Sequence, residues 1–303
     1  MIYPSHLQIE TVAGKCTAVC EFCPIESSPR KEIMSDDFFE MILKQFLPIK
    51  KYLKFTTLHG LGEPLLDKNI VNKVKKAKEF DFPSIGFATN ATNLTEVISK
   101  ELINVGLDTV IFSIDGFKKQ THEKIRKNTD YGEIISNVTN FIALRNKTEG
   151  AKTKVIVRMI RTDENKDEWE DYKIFWSKNL DSKYGDQVSV FDVHNIGGDG
   201  VKGYVDDVRA AILNYSKNNK LICSDLYERM FVYSNGKVGL CCGDEFGWFN
   251  LDYVVSTKPE DIYNNDIFIK YRQKMEKGKI CELEHCENCS IILSRYKKEY
   301  NDV

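Results

Sequence analysis

The stretch His6-Leu7-Gln8-Ile9-Glu10-Thr11-Val12-Ala13-Gly14-Lys15-Cys16-Thr17-Ala18-Val19-Cys20-Glu21-Phe22-Cys23-Pro24 decides the fold. Its first part, residues 6–12, is a short run suited to a strand, and the rest is a loop carrying three thiols. A helical pattern begins at Asp36, and the same strand-then-helix order recurs along the chain. Strand-like runs at 52–59, 84–89, 109–114, 154–159 and 188–193 are separated by helical runs at 68–80, 95–105, 131–145 and 164–180. Such alternation predicts a parallel α/β sheet. Ser35 and either Asn93 or Thr95 are placed as helix N-caps, and Gly106 as a helix end. Periodicity alone leaves open whether the six units form a doubly wound sheet or a partial (β/α) barrel. In both, ligand-binding residues gather at the C-terminal ends of the strands, where these thiols lie.

A chain of 303 residues, 42% apolar and 11% aromatic, has material for one large domain and a smaller one. Forty-three Lys and Arg balance 45 Asp and Glu, with the lysines scattered along helical faces, so no nucleic-acid footprint is expected. No basic-then-apolar leader and no apolar run of about 18 residues appears. A soluble, cytoplasmic protein without membrane contact is the expectation. Nine cysteines are too many to be incidental, and disulfides are rare in a reducing cytosol, so ligation of metal or a cluster is the leading use.

The cysteines fall in two groups, at 16, 20 and 23 and at 223, 241, 242, 281, 286 and 289. Three thiolates can hold three corners of a cubane cluster, which leaves the fourth iron open to a small molecule. One β/α unit later comes Leu58-His59-Gly60-Leu61-Gly62-Glu63-Pro64, where a carboxylate can accept from an ammonium. The third run ends in Ala88-Thr89-Asn90, the fourth in Ser113-Ile114-Asp115-Gly116, and Arg126 follows.

These motifs together resemble the radical SAM superfamily, with Cys16, Cys20 and Cys23 in its C-x-x-x-C-x-x-C spacing. The resemblance implies a partial (β/α)6 TIM-like barrel, a catalytic [4Fe–4S] cluster held by these cysteines, and S-adenosylmethionine (SAM) on the open iron. It implies that Gly62 and Glu63 hold the methionine amino group, that Gly60 belongs to the same cofactor-binding run, that Thr89, Asn90, Ser113 and Asp115 face cofactor or substrate, and that Arg126 lies near the SAM carboxylate. Ala91 departs from the family's Thr-Asn-Gly ending. A flavodoxin- or ferredoxin-type reductant is the implied partner.

After residue 193 comes a Gly-rich stretch, 194–200, which lacks a Walker Lys-Ser/Thr and reads as a connection. The expected boundary divides a barrel, 1–205, from a second domain, 206–303. There Asn235-Gly236 marks a hairpin, Cys241-Cys242-Gly243-Asp244 follows it, and Asp261-Ile262-Tyr263-Asn264-Asn265 precedes a final Cys286-x-x-Cys289. This resembles the twitch subdomain, a shortened SPASM domain of β-hairpin plus helix. The resemblance implies an auxiliary [4Fe–4S] cluster on Cys223, Cys241, Cys286 and Cys289. Zinc on four thiolates is the alternative reading of the same cysteines.

The four-cysteine spacing is similar to that of the 2-deoxy-scyllo-inosamine dehydrogenases. The leading expectation is oxidation of a hydroxyl carbon in a sugar- or cyclitol-like molecule, with the auxiliary cluster accepting an electron. Peptide epimerisation or cross-linking is a second reading, and a non-catalytic iron–sulfur or zinc protein a third. Arg158, His194 and Asp192 are candidates to take the hydroxyl proton. Cys242 and Cys281 are candidates for hydrogen-atom donation, or for a place as small buried hydrophobes.

Overall fold

The computed structural model describes residues 1–194, 208–217, 219–249 and 251–294. The Gly-rich segment 195–200 and the expected boundary at 205 lie outside them.

Helices form where apolar residues recur three and four apart. In α1 (Asp36–Phe46) Phe39, Ile42, Leu43 and Phe46 are buried at that spacing, and the Ser35 hydroxyl caps the helix by accepting from the Phe38 amide. The helices α2 (Ile70–Glu79), α3 (Glu96–Asn104), α4 (Lys119–Ile125), α5 (Tyr131–Lys147) and α6 (Trp169–Asn179) follow in turn. Thr95, one of the two expected caps, accepts from the Ile98 amide at the start of α3. The short α4 carries no amphipathic run long enough to be read from sequence.

Between these helices run the strands β1 (His6–Ile9), β2 (Val19–Cys20), β3 (Phe55–Thr57), β4 (Ile85–Thr89), β5 (Thr109–Ser113), β6 (Arg126–Lys127), β7 (Lys154–Arg161), β8 (Gln187–Asp192), β9 (Arg229–Val232) and β10 (Val238–Gly239). Six of them pair in parallel in the order β1-β3-β4-β5-β7-β8, the partial barrel. Burial is nearly continuous along β1 and β4, as strands covered on both faces require. Phe112 packs edge-to-face on Phe141 of α5, centroids 5.4 Å apart, tying barrel to outer helix.

The C-terminal part is joined to this sheet. β9 pairs in parallel with β1, His6 opposite Arg229, and β10 returns antiparallel through the Asn235-Gly236 turn. Gly236 has φ +82°, the left-handed conformation such a tight turn demands. The remaining helices, α7 (Val208–Ser216), α8 (Asp225–Glu228), α9 (Pro259–Tyr263), α10 (Asp266–Glu276) and α11 (Ser290–Ser294), carry or flank the second cysteine group. No helix among the described residues is long and apolar enough to cross a membrane.

Candidate active site

The loops after β1 and β3 are stitched together. The buried Glu10 carboxylate accepts from the Leu61 amide at 3.1 Å, the Gly14 amide donates to the Leu61 carbonyl at 2.6 Å, and the Glu63 amide donates to the Lys15 carbonyl at 2.9 Å. Sequence suggests that Gly60 and Gly62 admit a ligand. The structure adds a second reason: a Cβ on Gly60 would lie 2.6 Å from the Glu10 side chain, and one on Gly62 would collide with the Val12 carbonyl. The glycines let the third-strand loop close onto the cysteine loop.

Glu63 ends up buried, and its two oxygens collect three donors. Thr89 hydroxyl (2.6 Å) and Leu65 amide (3.0 Å) donate to Oε1, and the Asn90 amide (2.8 Å) to Oε2. Burial pushes this carboxyl upward, against those hydrogen bonds. The Asn90 side chain turns the other way, donating to Cys16 Sγ at 3.4 Å and Thr17 Oγ1 at 2.9 Å. Ala91 takes φ +64°, the backbone state of the glycine it replaces, and its carbonyl accepts from Asn137 at 3.0 Å. An alanine there costs roughly 1–2 kcal/mol.

The cysteine loop has a second anchor. β2 pairs antiparallel with β6, Cys20 opposite Arg126, and the guanidinium donates to Cys20 Sγ at 3.4 Å. Arg126 is also ion-paired with Asp115 at 2.7 Å. Asp115, fully buried, spends its other oxygen on the Ile160 amide at 2.7 Å. It therefore positions Arg126 and β7, and is absent from the cavity wall.

A cavity of ≈ 370 Å³ collects the rest. The thiols of Cys16, Cys20 and Cys23 line it together with Gly60, Gly62 and Glu63. Thr89, Asn90, Ser113 and Arg126 join them, as do Arg158, Asp192 and His194. Burial raises the Cys20 thiol to about 11 and the Cys23 thiol to about 12. Asp192 is ion-paired with Arg161 at 2.7 Å, and His194 Nδ1 lies 3.2 Å from Ser290 Oγ. His59 and Glu245 also line this cavity, and sequence reading did not single them out. The signals were present: His59 precedes the Gly-x-Gly-Glu run, and Glu245 directly follows Cys241-Cys242-Gly243-Asp244. Burial lifts Glu245 to about 7, Glu10 adding to the effect.

None of the nine cysteines is in a disulfide. In the second group, burial raises Cys241, with Cys242 and Cys223 next in effect; Cys286 feels Cys289 and Cys223, and Cys289, lifted to about 12, feels Cys223. These four thiols share one neighbourhood, and Cys242, the cysteine with the largest effect on Cys241, belongs to it too. Among the described residues no three His, Cys, Asp or Glu side chains form a single-ion site, whereas a cubane takes its thiolates at separate corners. Cys242 donates to Asp225 at 3.1 Å, and Cys281 is half-exposed beside Arg209 and Glu287. Neither is among the residues lining the cavity.

Both thiol groups fit cluster ligation, three thiolates facing a chamber with room for a co-ligand and four drawn together beyond it. The radical SAM superfamily model matches residues 11–173, and the chain belongs to that superfamily. Residues 223–290 match an iron–sulfur cluster-binding domain, SPASM, so this member combines the catalytic [4Fe–4S] cluster and SAM with an auxiliary cluster.

Among curated proteins, the tungsten-containing aldehyde ferredoxin oxidoreductase cofactor-modifying protein of Pyrococcus furiosus is 26% identical over 162 residues, 53% of this chain and 44% of that one. A probable GTP 3′,8-cyclase of Methanothermobacter marburgensis is 36% identical over 128 residues, 41% of this chain and 40% of the other. The matches span about half the length of these relatives or less. Among solved structures, BtrN in complex with AdoMet and 2-DOIA aligns over 95% of this chain and 93% of its own, TM-score 0.61 at 18% identity. Streptococcus suis SuiB bound to S-adenosylmethionine covers 89% and 68%, TM-score 0.67 at 16% identity. At such identities the likeness is one of fold.

Proposed function

We propose that this chain is a radical SAM oxidoreductase that removes hydrogen from a hydroxyl-bearing carbon of a sugar- or cyclitol-like molecule. The observation that carries this reading is the iron–sulfur cluster-binding domain over residues 223–290, which contains Cys223, Cys241, Cys286 and Cys289. A cluster with four protein thiolates has no open iron to grip a substrate, so electron acceptance is its natural role.

When bound, SAM and the reduced first cluster supply a 5′-deoxyadenosyl radical that takes a hydrogen atom from carbon, and the auxiliary cluster supplies the electron acceptor. Cys16, Cys20 and Cys23 would hold the first cluster, and Glu63 the methionine ammonium. The substrate hydroxyl proton would leave to Asp192 or His194, both on the cavity wall. A flavodoxin- or ferredoxin-type protein would supply the reducing electron. Peptide modification is the second reading, favoured by the fold shared with SuiB, one of whose structures is bound to the precursor peptide SuiA.

The test is anaerobic reconstitution, expected to give about eight irons from two four-iron clusters, followed by reduction with SAM. Replacing Cys16, Cys20 and Cys23 by Ala should abolish 5′-deoxyadenosine formation. Cys286→Ala should retain some cleavage and lose turnover. If the fully loaded protein leaves SAM intact, the enzymatic reading fails, and solvent deuterium at a product stereocentre would replace oxidation with epimerisation.

A further inference from the structure

Three strands lay a row of polar side chains across the barrel interior: Ser113 on β5 is in register with Arg158 on β7, which is in register with Ser189 on β8. The Arg158 guanidinium has one side-chain hydrogen bond, Nη2 to Ser113 Oγ at 3.5 Å, and rests over the Phe191 ring at 5.7 Å. Its Nε is buried without a partner, and no carboxylate forms an ion pair with it among the described residues. Beside it, His59 Nδ1 and Ser189 Oγ are likewise buried and unpartnered.

Such an arrangement is costly. A buried donor without an acceptor costs about 1–3 kcal/mol. The nearby acid, Asp115, cannot relieve it, because its oxygens are committed to Arg126 and the Ile160 amide. Asp192 gives one oxygen to Arg161 and makes no ion pair with Arg158. Of the two guanidiniums in this cavity, Arg126 is neutralised within the protein and Arg158 is not. Burial, with Arg158 adding to it, holds His59 neutral, with a pKa of about 3. The neutral imidazole and the guanidinium fork therefore line the cavity together, the positive charge residing on the guanidinium alone.

We propose that Arg158 and His59 form an oxyanion seat, so that the substrate carries a carboxylate or phosphate group. A planar fork engages either group through two parallel hydrogen bonds, and the neutral imidazole adds a third donor. This deepens the functional reading above and rests on the cavity being the substrate chamber. Within it, the seat fixes one end of the molecule while the carbon to be oxidised is held elsewhere. The SAM carboxylate is the other possible source of the anion, and the experiment separates the two.

Reconstituted holoprotein saturated with SAM is titrated by calorimetry with inorganic phosphate and, separately, with acetate, chloride holding the ionic strength constant. Saturable binding of one equivalent with a Kd on the order of millimolar is expected, as suits a single small anion. Arg158→Gln should weaken it about tenfold or more, the loss of one charge-assisted pair, and Arg158→Lys should recover part. SAM affinity should stay within about twofold in both variants. Absence of saturable anion binding, or equal binding by Arg158→Gln, overturns the seat. So does a loss of SAM affinity of about tenfold in that variant, which would assign the anion to SAM. SAM cleavage by the wild-type protein without substrate, measured alongside, reports on the radical SAM reading independently of these outcomes.

Discussion

The Arg126 guanidinium donates to the Cys20 sulfur at 3.4 Å, and the same two residues face each other across the β2–β6 ladder. Backbone pairing fixes the distance, so the hydrogen bond is a built feature of the first cluster's thiol loop. Donation to a cluster sulfur stabilises the reduced state. Arg126→Lys keeps the charge opposite Asp115 but loses the planar reach to sulfur. Its loss of about 1 kcal/mol corresponds to a one-electron potential lower by roughly 40 mV. Potentiometric titration followed by EPR, at matched iron content, reads this directly, and an unchanged potential would deny Arg126 any electronic role.

Arg30 joins the two halves of the chain. Its Nε is 2.9 Å from the fully buried Glu10 carboxylate, its Nη2 donates to the Glu245 carbonyl at 2.7 Å, and its guanidinium lies 3.9 Å above the Tyr233 ring. Glu10 in turn accepts from the amides of Leu61 and Ser234. Arg30→Met strands a buried carboxylate, which should cost about 3–5 kcal/mol of stability. Adding Glu10→Gln should recover part of it, because the stranded charge is then gone. Urea unfolding of the anaerobic holoprotein measures both, and a single-variant loss under about 1 kcal/mol would mean the pair is not acting as a buried one.

His122 is fully buried, its Nδ1 accepts from the Asp115 amide at 3.2 Å, and burial with Arg126 nearby lowers its pKa to about 3. The unfolded chain takes up this proton near 6.5, whereas the folded one refuses it. The His122 contribution is therefore complete above that value and is lost as pH falls below it, by up to about 1.4 kcal/mol per pH unit. His6 and His59, each also lowered to about 3 by burial, act in the same direction. Stability measured from pH 7 to 4.5 should fall less steeply for His122→Gln than for the wild type. Parallel curves would falsify this assignment.

Much of the site was legible because its parts are local. A C-x-x-x-C-x-x-C loop after a first strand, a Gly-x-Gly-Glu run after the second and Thr89-Asn90 after the third are contiguous strings whose chemistry follows from residue type. The strands were legible because burial on both faces of a parallel sheet demands continuous apolar runs. What sequence left open was direction. Asp115 turns toward Arg126, Cys242 turns toward Asp225, and the motif glycines, besides lining the cavity, serve strand-loop packing.

By itself, then, the sequence determined the order of strands and helices, the two thiol groups and the carboxylate that accompanies the first, since each depends on neighbours along the chain. Tertiary structure alone decided that β9 extends the barrel sheet beside β1, that Glu245 from the second cysteine loop reaches the cavity, and that Arg126 is neutralised while Arg158 is not. These depend on pairings between residues from eleven to more than two hundred positions apart. Long-range register and desolvation fix such pairings, and no local pattern encodes them.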